Sequence, residues 1–315
     1  MGWPEEPLIL PKELQDGILQ GKFVAFIGAG ISTDYYGDWV TLINNLCEYC
    51  GCSKRVTKDS SATQKLEAAD GAKQANLSRY LTHLGNHFGR YPTGTHFLYP
   101  ALMDLPFKDY MTVNYDPLLE RASKNHNLPA NLKCNPDIKA YPDLNIRERQ
   151  HRTIFYLHGK VDVGKTPKNR SIVLSQSEFT YAYRDNGPIK LTILPCLPVD
   201  NFCYFGCELS EPDMRNLFNI EADLLEERNS SGRGNSSRSQ KYIFFSKPEV
   251  TTEDGFDELL SRKRMTNMEE EYRKLRIKII WYVNHDGNHS SLLKAFEDLA
   301  ELYYKQSNPN PLRGI

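Results

Sequence analysis

Phe23 to Ser32 reads FVAFIGAGIS, an apolar run that ends in Gly-Ala-Gly and a serine. Met111 to Asp116 (MTVNYD) and Ile154 to Asp162 (IFYLHGKVD) repeat the pattern, each placing a polar cluster directly after an apolar, strand-like stretch. Strands buried on both faces of a parallel sheet read as such continuous apolar runs. An open α/β sheet binds its ligands in the crevice outside the carboxyl ends of those strands. The three segments therefore predict an α/β fold with a Rossmann-like parallel sheet. They bring Gly28, Ala29, Gly30, Ile31, Ser32, Asn114, Asp116 and His158 to one edge of it.

Each segment has its own chemistry. Glycines at 28 and 30 permit unusual backbone angles and let main-chain N–H groups approach phosphate oxygens; an ordinary tight βα turn is the alternative. The usual dinucleotide fingerprint asks for a third glycine where this chain has Thr33. Asn114 falls at a strand end, where a carboxamide that both accepts and donates can hold a ribose hydroxyl or a water near an anomeric carbon. Asp116 reads as a cap for the following helix, with Pro117 in its first turn, and it also stands among the ligand-binding candidates.

His158 precedes Gly159, a residue expected to let a ligand approach closely. Imidazole titrates near neutral pH, so a base or hydroxyl-orienting role is expected there, against the alternative of a satisfied core histidine. Asn114 and His158 are both expected at the ligand-facing rim, outside the core. His285 and His289 flank Gly287 beyond the last apolar strand and lack a comparable setting. A fourth element, Asn201 to Asp213 (NFCYFGCELSEPD), reads as a strand, a glycine turn and the start of a helix over Met214–Leu225, adding Gly206 and Cys207 to the binding set.

The order Gly-Ala-Gly-x-Ser, then Asn-x-Asp, then His-Gly resembles the sirtuin-like NAD-consuming superfamily. Thr112-Val113-Asn114-Tyr115-Asp116, followed by Glu120, is similar to the prokaryotic antiphage-defence branch of that superfamily. The resemblance spans about Leu8 to Tyr304 and implies NAD+ as substrate, Asn114 and His158 as catalytic residues, and Gly28 to Ser32, Trp39, Asp116, Gly206 and Cys207 as NAD-contacting residues. There are departures. Gly37-Asp38-Trp39 stands where many relatives carry Gly-x-Pro-x-Trp, Cys207 replaces a serine, and Glu211 replaces an aspartate.

The activity implied is NAD+ glycohydrolysis to nicotinamide and ADP-ribose, depleting NAD+ in abortive infection. NAD-dependent ADP-ribosyl transfer, deacylation, or a non-catalytic NAD- or ADP-ribose-binding subunit remain as alternatives. The resemblance also implies a separate partner such as a HerA-type ATPase, because little of the chain is left over for a sensor; a homo-oligomer is expected from the apolar faces that the inserted helical region and the C-terminal helix offer beyond what one sheet needs.

Composition narrows the classes further. Lys and Arg number 39 against 40 Asp and Glu, so the chain lacks the basic footprint of an obligate nucleic-acid binder. No apolar run approaches the length of a membrane span and no secretory leader is visible, so a cytoplasmic location is expected. Of seven cysteines only Cys47 and Cys50 form a Cys-x-x-Cys pair, on a predicted helix over Val40–Tyr49. A zinc ribbon needs two such pairs, so no metal is expected and a deacylase reading is disfavoured.

The whole chain, 1–315, reads as a single domain of this kind. An entry helix is predicted over Leu8–Gly21. Trp39 to Asp104 has a helical, polar-faced pattern broken at Cys50–Ser61 and Gly89–Gly94, read as a helical subdomain inserted over 40–105. Further strands are expected at Ser171–Ser175, Lys241–Ser246 and Ile277–Val283, and a helix at Ser290–Tyr304 with Leu292, Leu293, Phe296, Leu299 and Leu302 on one face. That face either joins subunits or packs on the sheet. The Ser/Gly/Asn/Arg-rich stretch 228–240 is expected to be a flexible loop.

Overall fold

The computed structural model describes residues 2–92, 98–124, 136–146, 152–209, 211–230, 239–252, 255–285 and 287–307. The chain enters through α1 (Lys12–Leu19) and β1 (Phe23–Ile27), followed by α2 (Thr33–Tyr36), α3 (Trp39–Cys50), α4 (Ala62–Ala75), α5 (Leu77–Phe88) and α6 (Leu98–Met103). Next come β2 (Tyr110–Thr112), α7 (Leu118–Lys124), β3 (Asp137–Ala140), β4 (Thr153–Tyr156), α8 (Gln176–Tyr183), α9 (Pro188–Ile193) and β5 (Asn201–Phe205). The last part holds α10 (Pro212–Ser230), β6 (Lys241–Ser246), a small hairpin of β7 (Thr251–Thr252) and β8 (Gly255–Phe256), α11 (Glu258–Lys274), β9 (Lys278–Tyr282) and α12 (Ser290–Ser307).

Seven strands form one sheet in the order β3-β4-β2-β1-β5-β6-β9, with every neighbour pair parallel. Both faces are covered, and the side-chain period of two sorts residues between them. Phe23, Ala25 and Ile27 of β1 join one core with Ile154, Tyr156, Cys203 and Phe205. Val24 and Phe26 join the other with Phe155, Leu157, Phe202 and Tyr204. The first core is closed by α1, α3, α5, α6 and α12, the second by α8, α9 and α10.

Local chemistry sets the element ends. Asp38 caps α3 by accepting from the Thr41 N–H at 2.7 Å, and Gly51 ends that helix in the left-handed conformation. Ser61 and Gln64 form a reciprocal capping box on α4. The Glu178 carboxylate accepts from the Ser175 N–H at 2.9 Å and pairs with Lys73 at 2.7 Å, which ties α8 to α4.

Two expectations change and one open alternative is settled. Ser171–Ser175 forms no strand, because its backbone groups are engaged elsewhere: the Val173 N–H donates to the His158 carbonyl, the Val173 carbonyl accepts from the Tyr115 hydroxyl, and the Leu174 and Ser175 N–H groups donate to Glu178. In the stretch expected as a flexible loop, residues 228–230 lie in α10, and 231–238 lie outside the described residues. The apolar face of α12 packs on the sheet, with Phe296 edge-on to Phe205 at 5.5 Å between ring centres; Leu302, at 39% exposure, turns outward.

Candidate active site

The strand register builds the site. Ile27 of β1 pairs with Thr112 of β2 and Phe205 of β5, and Thr112 pairs with Tyr156 of β4. Four strands thus end level, and the chain leaves them at Gly28, Val113, Leu157 and Gly206. The sheet order reverses direction around β1, so the crevice opens where a doubly wound sheet places its ligand.

The turns after β1 and β5 interlock through glycine. A Cβ on Gly28 would stand 2.4 Å from the Gly206 carbonyl oxygen, and Gly206 itself has φ +61° with a Cβ that would meet the Ile31 nitrogen at 2.7 Å. The Gly28 N–H donates to the Phe205 carbonyl at 2.8 Å and the Gly30 N–H to the Gly206 carbonyl at 2.9 Å. The Ile31 and Ser32 N–H groups donate to the carbonyls of Gly28 and Ala29. Two of the amides between Gly28 and Ser32 therefore hold the two turns together and two more close the first turn on itself.

Asn114 closes over this turn. Its Nδ2 donates to the Gly28 carbonyl at 3.1 Å and lies 3.2 Å from Ser32 Oγ and 3.3 Å from the Tyr99 hydroxyl. Its Oδ1 is buried without a hydrogen-bond partner among the described residues. Leaving a buried acceptor unmade costs about 1–3 kcal/mol. Asp116 is buried beside Ser32 and caps the start of α7 by accepting from the Leu118 N–H at 3.0 Å. Burial raises its carboxyl to about 6, against the hydrogen bonds from Leu118 and Ser32 that hold it down.

His158 is 3% exposed and Asn114 6%, so both belong to the buried wall rather than to an open rim. The His158 Nε2 lies 2.8 Å from the Tyr183 hydroxyl, and its ring meets Phe179 edge-on at 4.9 Å. Desolvation lowers its pKa to about 3, which corrects the expectation of an imidazole titrating near neutrality: the ring is neutral across the physiological range. Gly159 serves the backbone and not a ligand. At φ +90° its Cβ would stand 2.0 Å from the Ser171 carbonyl oxygen.

Asn114, Asp116 and His158 line one cavity of about 130 Å³ with Ala29, Ser32, Trp39 and Glu211. A second cavity of about 230 Å³ lies over Gly28, Gly30, Gly206 and Cys207. Ala29, Gly37, Asp38, Trp39, Val113 and Glu211 line both, so the Gly37-Asp38-Trp39 segment and Glu211 stand where the two spaces meet.

A model of the SIR2-like domain matches residues 108–274, just over half of the chain. The protein belongs to the SIR2-like family. It is 25% identical over 224 residues to the NAD(+) hydrolase ThsA of Enterococcus faecium, an alignment that takes in 70% of this chain and 44% of that protein. The chain thus spans less than half the length of that curated relative. Solved structures that align include a Sir2 homologue in complex with NAD, at 12% identity over 97% of this chain and 98% of that one, with a TM-score of 0.42. A Sir2 homologue mutant with ADP-ribose aligns at 13% identity over 96% and 100%, with a TM-score of 0.43.

In this SIR2-like chain every residue expected to be catalytic or NAD-contacting lines one of the two cavities except Ile31, whose side chain is buried in the core behind the turn. Cys207 presents a buried thiol 3.4 Å from the Phe205 carbonyl, and burial, followed by the charge of Glu211, pushes its pKa well above the usual thiol value. His285 and His289 stand elsewhere, against Glu249 and Tyr282. The sequence reading missed Tyr99, Phe179 and Tyr183. Phe179 and Tyr183 are four residues apart on α8, a helical spacing that puts both rings on the side facing His158. Among the described residues no group of three His, Cys, Asp or Glu is arranged to hold a metal, and no helix is long and apolar enough to cross a membrane.

Proposed function

We propose that the protein is an NAD+ glycohydrolase: NAD+ and water give nicotinamide, ADP-ribose and a proton. The observation that carries this reading is the orphaned acceptor of Asn114. Among the described residues it is the one unpartnered buried side-chain atom whose residue lines either cavity, and His158 lines the same cavity. A buried polar atom without a partner calls for a ligand group to supply one. The hydroxyls of a ribose fit an Oδ1 acceptor and a neutral imidazole.

In this reading Asn114 Oδ1 accepts from a hydroxyl of the nicotinamide ribose or from the attacking water. His158, oriented by its bond to Tyr183, faces the ribose as a neutral ring and changes no charge. The pyrophosphate lies over Ala29 and the Gly28–Gly206 turn, Asp116 faces the nicotinamide end from beside Ser32, and Trp39 covers the junction between the two cavities. The C1′–N bond breaks with its electron pair leaving on nicotinamide, and water adds at C1′ as a proton is released. The kinship with a hydrolase of NAD+ supports this choice over transfer to a protein.

The wider setting follows the resemblance to the defence branch: depletion of NAD+ during infection, in the cytoplasm, by a homo-oligomer controlled by a separate partner such as a HerA-type ATPase. Two experiments test these parts. Incubation with NAD+ and chromatography of the products is expected to show nicotinamide and ADP-ribose rising together, and NAD+ that stays intact alone and with every co-expressed neighbour refutes the activity. Light scattering is expected to give a multimer, and a monomer at micromolar concentration refutes the assembly.

A further inference from the structure

The two cavities share a charge pattern that the reaction has not yet used. Among the described residues their lining includes the carboxylates of Asp38, Asp116, Glu208 and Glu211 and no lysine or arginine. Asp38 is engaged in capping α3 and Asp116 in capping α7. Glu208 lines the second cavity alone. Glu211 is the remaining carboxylate in the space that holds His158, and no lysine or arginine among the described residues forms an ion pair with it.

Its surroundings place it at the reactive end. Glu211 directly precedes α10 and lines both cavities beside Trp39 and Val113. The Tyr183 hydroxyl that holds His158 is pushed up first by burial and next by the Glu211 charge, so the carboxylate lies within electrostatic reach of the His158–Tyr183 pair. Burial, and after it the charge of Glu208, raises the Glu211 carboxyl above the usual range against a hydrogen bond from its own backbone N–H, so the wall penalises the anion and a cation entering beside it offsets that cost.

The substrate of the proposed reaction carries such a cation. The pyridinium ring of NAD+ is positive, and as the C1′–N bond breaks the positive charge passes to C1′ and the ribose ring oxygen while nicotinamide leaves neutral. We propose that Glu211 contacts the cationic end of the dinucleotide, facing the pyridinium ring in the bound substrate and the ribosyl cation as the glycosidic bond breaks. This rests on the NAD+ reading above. It adds a substrate-contacting residue from the β5 turn to Asn114 of the β2 turn and His158 of the β4 turn.

The test is calorimetric binding of two probes that differ in ring charge. One is the carbocyclic analogue of NAD+, whose pyridinium is intact and whose bond to nicotinamide does not hydrolyse; the other is NADH, whose ring is neutral. The wild-type chain is expected to bind the cationic probe about tenfold more tightly than NADH, as a close charge contact in a partly desolvated wall implies. Glu211→Gln is expected to lose that preference by weakening the cationic probe alone, and Glu211→Asp to keep part of it, both with unchanged melting temperature. A wild-type chain that binds both probes equally overturns the inference whether or not the variants fold. So does a Glu211→Gln variant that weakens both equally or neither. If the wild type binds neither probe, alone or with the protein encoded beside it, the NAD+ reading itself fails and the inference goes with it.

Discussion

The carboxamide nitrogen of Asn114 lies 3.1 Å from the carbonyl oxygen of Gly28, which ties the end of β2 to the turn that follows β1. The same side chain therefore has a structural half, its Nδ2, and a vacant half, its Oδ1. Asn114→Ala removes both. It is expected to lower NAD+ turnover by at least about a hundredfold, in line with loss of a positioned polar group, and to destabilise the fold by about 1 kcal/mol by removing one of the two N–H donors to the Gly28 oxygen, the Ile31 N–H remaining. Kinetics and thermal melting on the same preparation check both halves. Unchanged turnover would remove Asn114 from the catalytic set.

In the proposed reaction the Tyr183 hydroxyl orients the His158 ring. Tyr183→Phe keeps the ring that stacks on Phe179 and removes the hydroxyl that holds Nε2 at 2.8 Å. Turnover is expected to fall by roughly tenfold, the order of one neutral hydrogen bond at about 1.5 kcal/mol, with little change in melting temperature. His158→Ala is expected to lose on the order of a hundredfold or more. A Tyr183→Phe enzyme with wild-type rates would show that the pair serves folding alone.

Two buried groups give opposite pH effects on stability. His158 has its pKa lowered from 6.5 to about 3 in the folded chain, so the unfolded chain binds more protons between those values and stability is lost as pH falls from 6.5 toward 3. Asp116 has its pKa raised from 3.8 to about 6, so the folded chain binds more protons there and stability is lost as pH rises from 3.8 through 6. The melting-temperature gap between wild type and His158→Gln is therefore expected to shrink as pH drops from 7 to 4. Asp116→Asn is expected to gain on wild type as pH rises from 4 to 6. Gaps that do not move with pH would contradict both assignments.

Gly28 and Gly51 separate packing from backbone conformation. A Cβ at position 28 meets backbone at 2.4 Å, whereas at position 51 it meets nothing within 4 Å although φ is +77°. Gly28→Ala is expected to cost about 1–3 kcal/mol, as overpacking does, and to disturb the site with the fold. Gly51→Ala is expected to cost about 1 kcal/mol and to leave turnover unchanged. Chemical denaturation of the two variants, with rates measured beside it, distinguishes them.

How much of this was legible in the sequence depends on the kind of residue. The central strands β1, β2, β4 and β5 were readable because burial on both faces leaves an unbroken apolar run, and with them came the positions of Gly28, Asn114, His158 and Gly206. Edge strand β3 (DIKA) was not, since its partly exposed residues carry no such run. The charged helix α11 buries only Ser261 and Tyr272 and shows almost no apolar stripe. Apolar composition drew Ser171–Ser175 toward a strand, but the Val173 N–H went to the His158 carbonyl, a tertiary choice that no local pattern records, and the Leu174 and Ser175 N–H groups went to Glu178, whose Ser-x-x-Glu capping box with Ser175 is a local helix-start signal that the apolar run masked. The same holds for the neutral state of His158, which depends on Phe179 and Tyr183 arriving from α8.

The central claim is that the cavity walled by Asn114 and His158 breaks the bond between nicotinamide and ribose. The most direct measurement incubates purified wild-type and Asn114→Ala chains with NAD+, alone and with the protein encoded beside this one, and follows NAD+, nicotinamide and ADP-ribose by chromatography. The account predicts that the wild type converts NAD+ to nicotinamide and ADP-ribose in equal amounts under at least one of these conditions and that Asn114→Ala does so at no more than about a hundredth of that rate. NAD+ that remains intact with folded wild-type protein under all of them, or equal conversion by the two chains, would contradict it.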